Sequence, residues 1–271
     1  MMMMPESVPE EVPRAVSRAL KRSRPLGRLA QLLGLSILRG DIPPGEPVTL
    51  EALPTCDLDA SRTQFREAVK VLEGKGLIES KPRSGTRVRP RHLWNLCDPE
   101  ILSWRIATAP ADHVLIDFHQ LRRAIEPEAA ALAARQPSGA DRGRLAAAFA
   151  DMTAADAGQR HRDDLVDAGV RFHQLLLAAS GNELFSSLSR VLEPPYVLSL
   201  SLSVAVHPAP ERCVALYKRL LDAVLARKPD DARRRAALLL GDAEEVLTRF
   251  MGIAEPERVQ EAATARAVAA S

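Results

Sequence analysis

Three cations, each separated by one helical turn, form the clearest chemical pattern in this sequence. Arg62, Arg66 and Lys70 lie at i, i+4 and i+8, a spacing that places them in one row along a helix. A DNA duplex carries one phosphate charge per roughly 1.7 Å of its axis, and an arginine can bind guanine O6 and N7 through two hydrogen bonds. The row therefore suits contact with DNA, although an ordinary solvated helix face would show the same charges.

The helix that carries this row, which we call the basic helix, has a recognisable start and end. Ser61 is a natural N-cap, Gln64 stands at the capping-box position, and Gly76 is a helix terminator. A start at Ser61 places Arg62 and Thr63 at the leading end of the helix, where base edges of a major groove are contacted. The apolar stripe predicted to face the core consists of Phe65, Ala68, Val69 and Leu72.

The elements around the basic helix follow a definite order. Apolar periodicity predicts a first helix from residue 26 to Gly40, a turn over 41–45 and a short second helix near 48–53. After the basic helix, residues 77–81 and 86–89 are predicted to form two strands around a turn. This order predicts a winged helix-turn-helix. The cations of the hairpin and its exit are Lys81, Arg83, Arg87, Arg89 and Arg91.

The distribution of charge favours a polyanionic partner for the N-terminal part alone. Residues 12–95 hold 16 Lys and Arg against 8 Asp and Glu, whereas residues 96–271 hold 21 against 24. We therefore predict that the basic helix and the hairpin tip contact a double-stranded DNA operator. The predicted DNA-binding residues are Arg62, Thr63, Gln64, Arg66, Lys70, Arg83, Ser84 and Gly85.

The rest of the chain predicts helices and no convincing strand. Asp98, Pro99 and Glu100 combine an N-cap, a proline at the first helical position and an acid in the first turn. The low aromatic content of 4% and the Ala- and Leu-rich apolar fraction favour an all-α bundle. The pair Pro194–Pro195 predicts a kink or a split within one helix. The candidate helices cover residues 99–108, 112–135, 139–157, 162–179, 183–205, 210–227 and 230–251.

Together these features predict a mainly α, two-domain protein that dimerises, because operators are commonly paired half-sites. We expect a disordered tail over 1–22, a winged helix-turn-helix domain over 23–90, a junction over 91–110, an all-helical bundle and dimerisation domain over 111–252 and a frayed tail over 253–271. No apolar run approaches the roughly 20 residues that span a bilayer, and the N-terminus does not look like a signal peptide. A cytoplasmic protein without a membrane partner is therefore expected.

Several short runs of the sequence are similar to those of a known family. They are Ser61–Ala68, Gly76–Ile78, Gly85–Val88, Leu121–Ala130, Phe172–Asn182 and Leu220–Val224. The runs before residue 90 resemble the DNA-binding domain of the GntR family of bacterial regulators, and the later ones resemble the all-α ligand-sensing domain, called FCD, of its FadR-type branch. The segment 90–104 is similar to that of the family's sugar-acid regulators. The resemblance implies a homodimeric repressor that a small carboxylate effector, such as a sugar acid, releases from DNA.

The resemblance also implies positions for a metal and for the effector. Many members bind a divalent metal through one Asp and three His, and the matching positions in this chain are Gly169, His173, Tyr217 and one near Gly241. One imidazole cannot hold a transition metal, because such sites need three or four protein ligands, so we predict no metal cofactor. The effector-binding candidates are Arg122, His173, Tyr217 and Asn182.

Each effector candidate also has a purely structural interpretation. Arg122 and Glu126 at i, i+4 could form an ion pair on a helix surface. His173 could be a hydrogen-bonded core residue, and Asn182 could cap a helix. The sequence alone leaves both interpretations open.

Two other functions are weighed against a DNA-binding regulator released by a carboxylate. A metal-sensing regulator of the same family would need ligands from scattered histidines such as His113 and His207. An enzyme would need a nucleophile with its base, a metal or a phosphate loop, and the standard motifs for these are absent, so we predict no enzymatic activity. Trp94 and Trp104 are predicted to anchor packing between the domains.

Overall fold

The computed structural model describes residues 27–50, 61–83, 85–108, 111–135, 138–156, 162–207 and 210–251. The chain divides into two compact units, with the boundary between residues 110 and 111. The predicted tails over 1–22 and 253–271, Ser84 and most of the short helix predicted near 48–53 lie outside the described residues. In the described residues of both units the predicted mainly α class is confirmed.

The N-terminal unit combines helices with a small antiparallel sheet. Its elements are α1 (Arg28–Arg39), α2 (Arg62–Gly74), β1 (Ile78–Lys81), β2 (Gly85–Val88), a 3₁₀ turn at Arg91–Leu93 and α3 (Pro99–Thr108). Helix α2 is the predicted basic helix. Leu33 of α1 and Leu72 of α2 are fully buried in one apolar core. Gly40 ends α1 with a φ of 90°, a left-handed conformation that glycine adopts at little cost.

Residues 46–48 pair with the hairpin as a third segment, which was not predicted from the sequence. Strands β1 and β2 pair in antiparallel register, with Ile78 opposite Val88. Beyond β2, the backbone N–H of Val48 donates to the Thr86 carbonyl over 2.9 Å, and the N–H of Val88 donates to the Glu46 carbonyl over 3.0 Å. The prediction of a helix starting near 48 is therefore wrong at its first residue, because Val48 is hydrogen-bonded to the edge of strand β2 in an extended pairing.

Both tryptophans, which were predicted to anchor packing between the domains, pack in the core of the N-terminal unit. Trp104 on α3 is 1% exposed and belongs to the same core as Leu33 and Leu72. Trp94 is also buried, and its indole N–H donates to the Arg89 carbonyl over 2.8 Å. Because α3 packs on α1, most of the segment predicted as a junction over 91–110 belongs to this unit.

The C-terminal unit consists of helices, and its described residues contain no strand. Its elements are α4 (Ala111–Arg135), α5 (Gly139–Ala154), α6 (Arg162–Ala179), α7 (Glu183–Val191), α8 (Glu193–Val206), α9 (Pro210–Leu225) and α10 (Pro229–Phe250). The helix predicted over 183–205 is split into α7 and α8 at Leu192. Pro194 and Pro195 then fall in the first turn of α8, where a missing N–H has no helical partner to lose.

Small residues allow the helices of this unit to approach closely. Ala130, Ala133 and Ala134 on α4 are each fully buried at 0% exposure, in a core that Leu220 of α9 and Leu239 of α10 also share. Helix α10 packs along α4, and α6 packs on α5. Among the described helices, none combines the length and the apolar character that a bilayer crossing requires.

The close contact between α1 and α3 generates a prediction about one glycine. A Cβ built on Gly34 would lie 2.3 Å from the Trp104 ring, so Gly34→Ala forces the buried indole to shift and lowers the free energy of unfolding by about 1–3 kcal/mol. The matched control is Gly74→Ala in the same unit, because a Cβ at the end of α2 meets no atom within 4 Å.

Urea unfolding followed by tryptophan fluorescence measures the difference, because the two tryptophans of the chain both lie in this unit. The control is expected to change stability by less than about 0.5 kcal/mol. Equal stability of the two variants would contradict the packing of Trp104 against α1.

Candidate nucleic-acid interface and effector cavity

The leading end of α2 is held by a complete capping box, which confirms the predicted start of the basic helix. The Gln64 backbone N–H donates to Ser61 Oγ over 3.2 Å, and the Ser61 N–H donates to Gln64 Oε1 over 2.8 Å. These bonds satisfy two donors that a helix start otherwise leaves open. Gln64 is a predicted DNA-binding residue. Because its Oε1 accepts the capping hydrogen bond, its side chain can contact a base or phosphate through the amide N–H groups.

The solvent-facing side of α2 carries the predicted row of cations. Arg62, Thr63 and Arg66 are exposed, whereas Ala68 and Leu72 on the opposite face are buried. The amphipathic pattern thus fixes which side chains leave the core. The two arginines present their guanidinium groups to solvent at the end of the helix where base edges are normally contacted.

Lys70, at the far end of the row, is the least available of the three cations. Its Nζ lies 2.9 Å from Oε1 of Glu67, one turn away on the same helix, and both side chains are exposed. Exposed pairs of this kind are weak, so a phosphate can compete with Glu67 for the ammonium. Lys70 therefore fits a phosphate contact better than a base contact.

The tip of the hairpin holds a strained arginine. Arg83 is exposed and has a φ of 68°, in the left-handed region that side chains other than glycine and asparagine rarely adopt. Gly85, two residues later, has a φ of 72° and adopts it without penalty. Such strain concentrates at functional positions. Arg83 is therefore the hairpin cation best placed for nucleic acid, while the predicted contact Ser84 lies outside the described residues.

Two other cations of the hairpin have contacts within the protein. Arg87 donates from Nη1 to the Gly45 carbonyl over 2.8 Å, which ties β2 to the preceding loop. Lys81 Nζ lies 2.6 Å from a carboxylate oxygen of Glu79. Arg87 therefore has a structural role, whereas the Lys81–Glu79 pair is exposed and, like the pair of Lys70 with Glu67, is weak enough for a phosphate to compete.

At the centre of the C-terminal unit lies a buried ion pair. Arg122 Nε donates to Glu126 Oε1 over 2.6 Å, and both side chains are only 2% exposed. Both residues lie on α4 at i, i+4, but the pair faces the core. The interpretation of Arg122 and Glu126 as a surface pair is therefore wrong. A buried pair is stable only when the remaining donors and acceptors are satisfied.

Side chains from two other helices bond the pair directly, and one from a third helix bonds one of them in turn. His173 on α6 has Nδ1 at 3.1 Å from Glu126 Oε2 and Nε2 at 3.0 Å from Arg122 Nη2. Tyr217 on α9 has its hydroxyl 2.7 Å from the same Nε2, and Tyr196 on α8 donates to Glu126 Oε1 over 2.7 Å. An arginine can only donate, so Nε2 accepts and the ring proton lies on Nδ1, where it bonds Glu126. We call these five residues the polar network.

The electrostatics of the polar network follow from burial and from one strong pairing. Burial by itself would raise the pKa of Glu126, but the charge of Arg122, assisted by His173, outweighs it and holds that pKa well below its usual range. Burial, assisted by Arg122, lowers the pKa of His173, which keeps the imidazole neutral. Since Glu126 already neutralises Arg122, the guanidinium is not an open receptor for an effector carboxylate.

The residues at the family's metal positions do not fit that metal. Gly169 has no donor atom, a phenol stands at another position as Tyr217, and Gly241, near which the last position falls, has no donor atom either. The remaining position is His173, whose Nε2 already faces Arg122 and Tyr217. A cationic guanidinium therefore lies where a metal ion would have to approach the imidazole.

A cavity of about 320 Å³ lies between α5, α6, α8 and α9. Gly169 contributes to this space, because a Cβ at that position would lie 3.0 Å from Leu200 Cδ1. Tyr217 lines the cavity and also belongs to the polar network, so it connects the two. The apolar part of the wall is formed mainly by Met152, Leu165, Leu200, Val204 and Val214.

Polar groups are few in this cavity and lie at particular places. Arg162 and Asp156 contribute opposite charges to the wall, and Ser203, His207 and Cys213 contribute further polar groups. Burial first, and then Asp242, raises the pKa of the Cys213 thiol to about 12, so the thiol is no nucleophile at neutral pH. An apolar chamber with a few oriented polar groups is the usual form of a small-molecule site.

The predicted effector residues lie in three different places: at the cavity, in the polar network and at the start of α7. Tyr217 lines the cavity, whereas Arg122 and His173 lie in the polar network behind it. Asn182 is the N-cap of α7, and its side-chain oxygen accepts from the backbone N–H groups of Leu184 and Phe185. It does not line the cavity.

One network member was not predicted from the sequence. Tyr196 follows two prolines and lies fully buried at 0% exposure. No periodic signal distinguishes a tyrosine that donates a buried hydrogen bond from one that only packs, and only the contact with Glu126 reveals this role.

The burial of the Arg122–Glu126 pair predicts a large effect of a small substitution. Glu126→Gln keeps the volume but leaves the guanidinium buried without its counter-charge, so we expect the free energy of unfolding to fall by about 3–5 kcal/mol. Asp222→Asn is the matched control, because Lys218 and Asp222 form an i, i+4 pair whose side chains are 53% and 54% exposed.

The control is expected to change stability by less than about 0.5 kcal/mol. Urea unfolding followed by far-ultraviolet circular dichroism reports on the helices of this unit. A Glu126→Gln variant as stable as the control would show that the pair is solvated.

Comparison with known families identifies both units. Residues 26–88 match the model described as "Bacterial regulatory proteins, gntR family", and residues 117–242 match the FCD domain. The first match covers the basic helix and hairpin, and the second covers the polar network. This assignment agrees with the resemblance noted in the sequence.

Individual relatives are regulators as well. The chain is 29% identical to the uncharacterized HTH-type transcriptional regulator YieP of Escherichia coli K12, over 78% of this chain and 90% of that protein. It is 29% identical to the galactonate operon transcriptional repressor of the same organism, over 60% of this chain and 69% of that protein. In the solved structures, Lar, which controls the expression of the Listeria monocytogenes agr system, has a similar fold, with a TM-score of 0.56 at 17% identity over 83% of this chain and 99% of that chain.

The matched families and these relatives are transcriptional regulators rather than enzymes, as predicted. An exposed pair of arginines at a capped helix start and a strained arginine at a hairpin tip agree with that role. This chain therefore belongs to the gntR family of bacterial regulatory proteins, as a DNA-binding transcriptional regulator whose C-terminal unit is an FCD domain.

Proposed function

We propose that this regulator is a dimeric repressor that leaves its operator when a small carboxylate, such as a sugar acid, enters the cavity of the FCD domain. The observation that carries the DNA-binding part is the exposure of Arg62 and Arg66 at the capped start of α2. A homodimer follows from operator symmetry, because paired half-sites match a two-fold protein axis. The galactonate operon repressor among the relatives supports repression as the direction of control.

The cavity supports the effector part of the proposal. Its volume of about 320 Å³ suits a small organic molecule, and its wall combines apolar groups with Arg162, a cation able to bind a carboxylate. Arg122, a candidate from the sequence, acts instead through the polar network, since Glu126 neutralises it.

In this proposal the Tyr217 hydroxyl transmits effector binding from the cavity to the polar network. It lines the cavity and donates to His173 Nε2 over 2.7 Å, so a ligand acceptor at this point competes with the histidine for one proton. Loss of that bond would loosen the attachment of α9 to the network. The effector must bind the DNA-free arrangement more tightly than the DNA-bound one, because equal affinity would shift nothing.

The DNA-binding assignment predicts the behaviour of two arginine variants. Arg62→Ala and Arg66→Ala each lose a base or phosphate contact, so preference for the operator over random DNA falls by about 1–3 kcal/mol per residue. The control is Arg190→Ala, which removes the same charge from an exposed position on α7 in the other unit.

An operator selected from random duplexes with the full chain provides the ligand, and fluorescence anisotropy at fixed salt measures affinity. Far-ultraviolet circular dichroism confirms that each variant is folded. Operator preference that stays at the wild-type value in both variants would rule out α2 as the reading helix.

The effector assignment predicts a ligand-dependent melting point. A panel of sugar acids and other small carboxylates is screened by thermal shift, because a ligand that binds the folded state at about 100 times its Kd stabilises it by about 2.7 kcal/mol. For each acid that stabilises the wild type, Arg162→Gln is expected to reduce the shift.

Arg171→Gln is the matched control, since Arg171 is likewise an exposed arginine on α6 but does not line the cavity. A stabilising acid that shifts both variants like the wild type would place its site elsewhere. The same acid added to the operator complex tests release directly.

A further inference from the structure

Three potential metal ligands from three different elements meet beside the cavity. His207 follows the last turn of α8, Cys213 lies in the first turn of α9, and Asp242 lies on α10. One ligand atom from each lies within 4.8 Å of the other two. His207 Nε2 and Asp242 Oδ2 are 2.7 Å apart. His207 and Cys213 are six residues apart, but Asp242 comes 29 residues after Cys213, so the fold is needed to bring the carboxylate to the other two.

The carboxylate of this cluster is buried and incompletely hydrogen-bonded. The side chain of Asp242 is 2% exposed and that of His207 is 5% exposed. Asp242 Oδ1 accepts no hydrogen bond among the described residues, although Arg212 Nε lies 2.9 Å away. The Arg212 side chain is half exposed and also pairs with Glu245 over 3.0 Å. A buried carboxylate oxygen in this position favours a cation at closer range.

The chemistry of the donors selects the class of cation. A thiolate, an imidazole and a carboxylate are all ligands of Zn²⁺, whereas Mg²⁺ and Ca²⁺ take oxygen ligands. Three protein ligands with one open position form the arrangement in which zinc accepts an external ligand. His207 and Cys213 also line the cavity, so the cluster lies at its wall.

We propose that His207, Cys213 and Asp242 bind one divalent transition metal ion of the zinc class, through a ligand set that does not use the family's positions at Gly169, His173 and Tyr217. Binding replaces the thiol proton of Cys213, which passes to solvent, and displaces Arg212 from Asp242. If the proposed effector function holds, the effector carboxylate fills the open position. The metal site itself does not depend on that function. The sequence-based prediction of no metal rested on His173 being the one ligand kept at the family's metal positions.

The test uses the full chain without a histidine tag, stripped of metal and titrated with Co²⁺ as a spectroscopic probe and with Zn²⁺. A cobalt–thiolate bond gives charge-transfer absorption in the near ultraviolet, and elemental analysis after desalting gives the stoichiometry. The variants are Cys213→Ser and Asp242→Asn. Cys97→Ser is the matched control, because it removes an exposed thiol from the other unit.

The expected result is one metal ion per chain in the wild type and in Cys97→Ser, with thiolate absorption in both. Cys213→Ser loses that absorption, and each of the two cluster variants binds Zn²⁺ at least about tenfold more weakly. Because Asp242→Asn is nearly isosteric and is expected to fold, it still tests the site if Cys213→Ser does not fold.

The proposal is overturned if the wild type retains no stoichiometric metal, if Co²⁺ binds without thiolate absorption, or if both cluster variants bind like the control. These measurements contain neither DNA nor effector. A failure of the operator or thermal-shift experiments therefore leaves the metal result standing, and a failure of metal binding leaves the proposed function standing.

Discussion

The FCD domain is organised around one buried ion pair. Arg122 and Glu126 are both charged and nearly inaccessible to solvent, so every remaining donor and acceptor on them needs a partner. His173 and Tyr196 supply partners from α6 and α8 within 3.1 Å, and Tyr217 on α9 in turn bonds His173 over 2.7 Å. The polar network thereby fixes the positions of helices that apolar contacts alone would leave free to slide, since apolar packing is non-directional.

The same network determines what the cavity can sense. A neutral imidazole and a neutralised guanidinium cannot attract an anion from behind the cavity wall, so the charges that meet a ligand are those of the wall itself. Gly169 opens volume where the family's resemblance implies an Asp, and Tyr217 presents a hydroxyl where it implies a His. Gly169 and Tyr217 thus replace two of the metal ligands that the resemblance implies. The potential metal ligands among the described residues are instead His207, Cys213 and Asp242, which cluster beside the cavity.

In the N-terminal unit the controlling constraint is the start of α2. The capping box fixes the first turn, and the buried Ala68 and Leu72 fix the rotation of the helix about its axis. Together they decide that Arg62 and Arg66 face solvent at the leading end. The hairpin is tied to the preceding loop by Arg87 and by backbone hydrogen bonds to residues 46 and 48, which supports the strained conformation of Arg83 at its tip.

The mainly α class, the basic helix and its capping box could be predicted from the sequence, because each depends on residues within one or two helical turns of each other. Contacts between segments that are distant in sequence could not be predicted in this way. The pairing of Val48 with β2, the packing of Trp104 across Gly34 and the burial of Glu126 each join residues whose own neighbours in sequence are uninformative about them. An i, i+4 pair has the same spacing on a buried face as on an exposed one, so only the tertiary structure decided that this pair lies in the core.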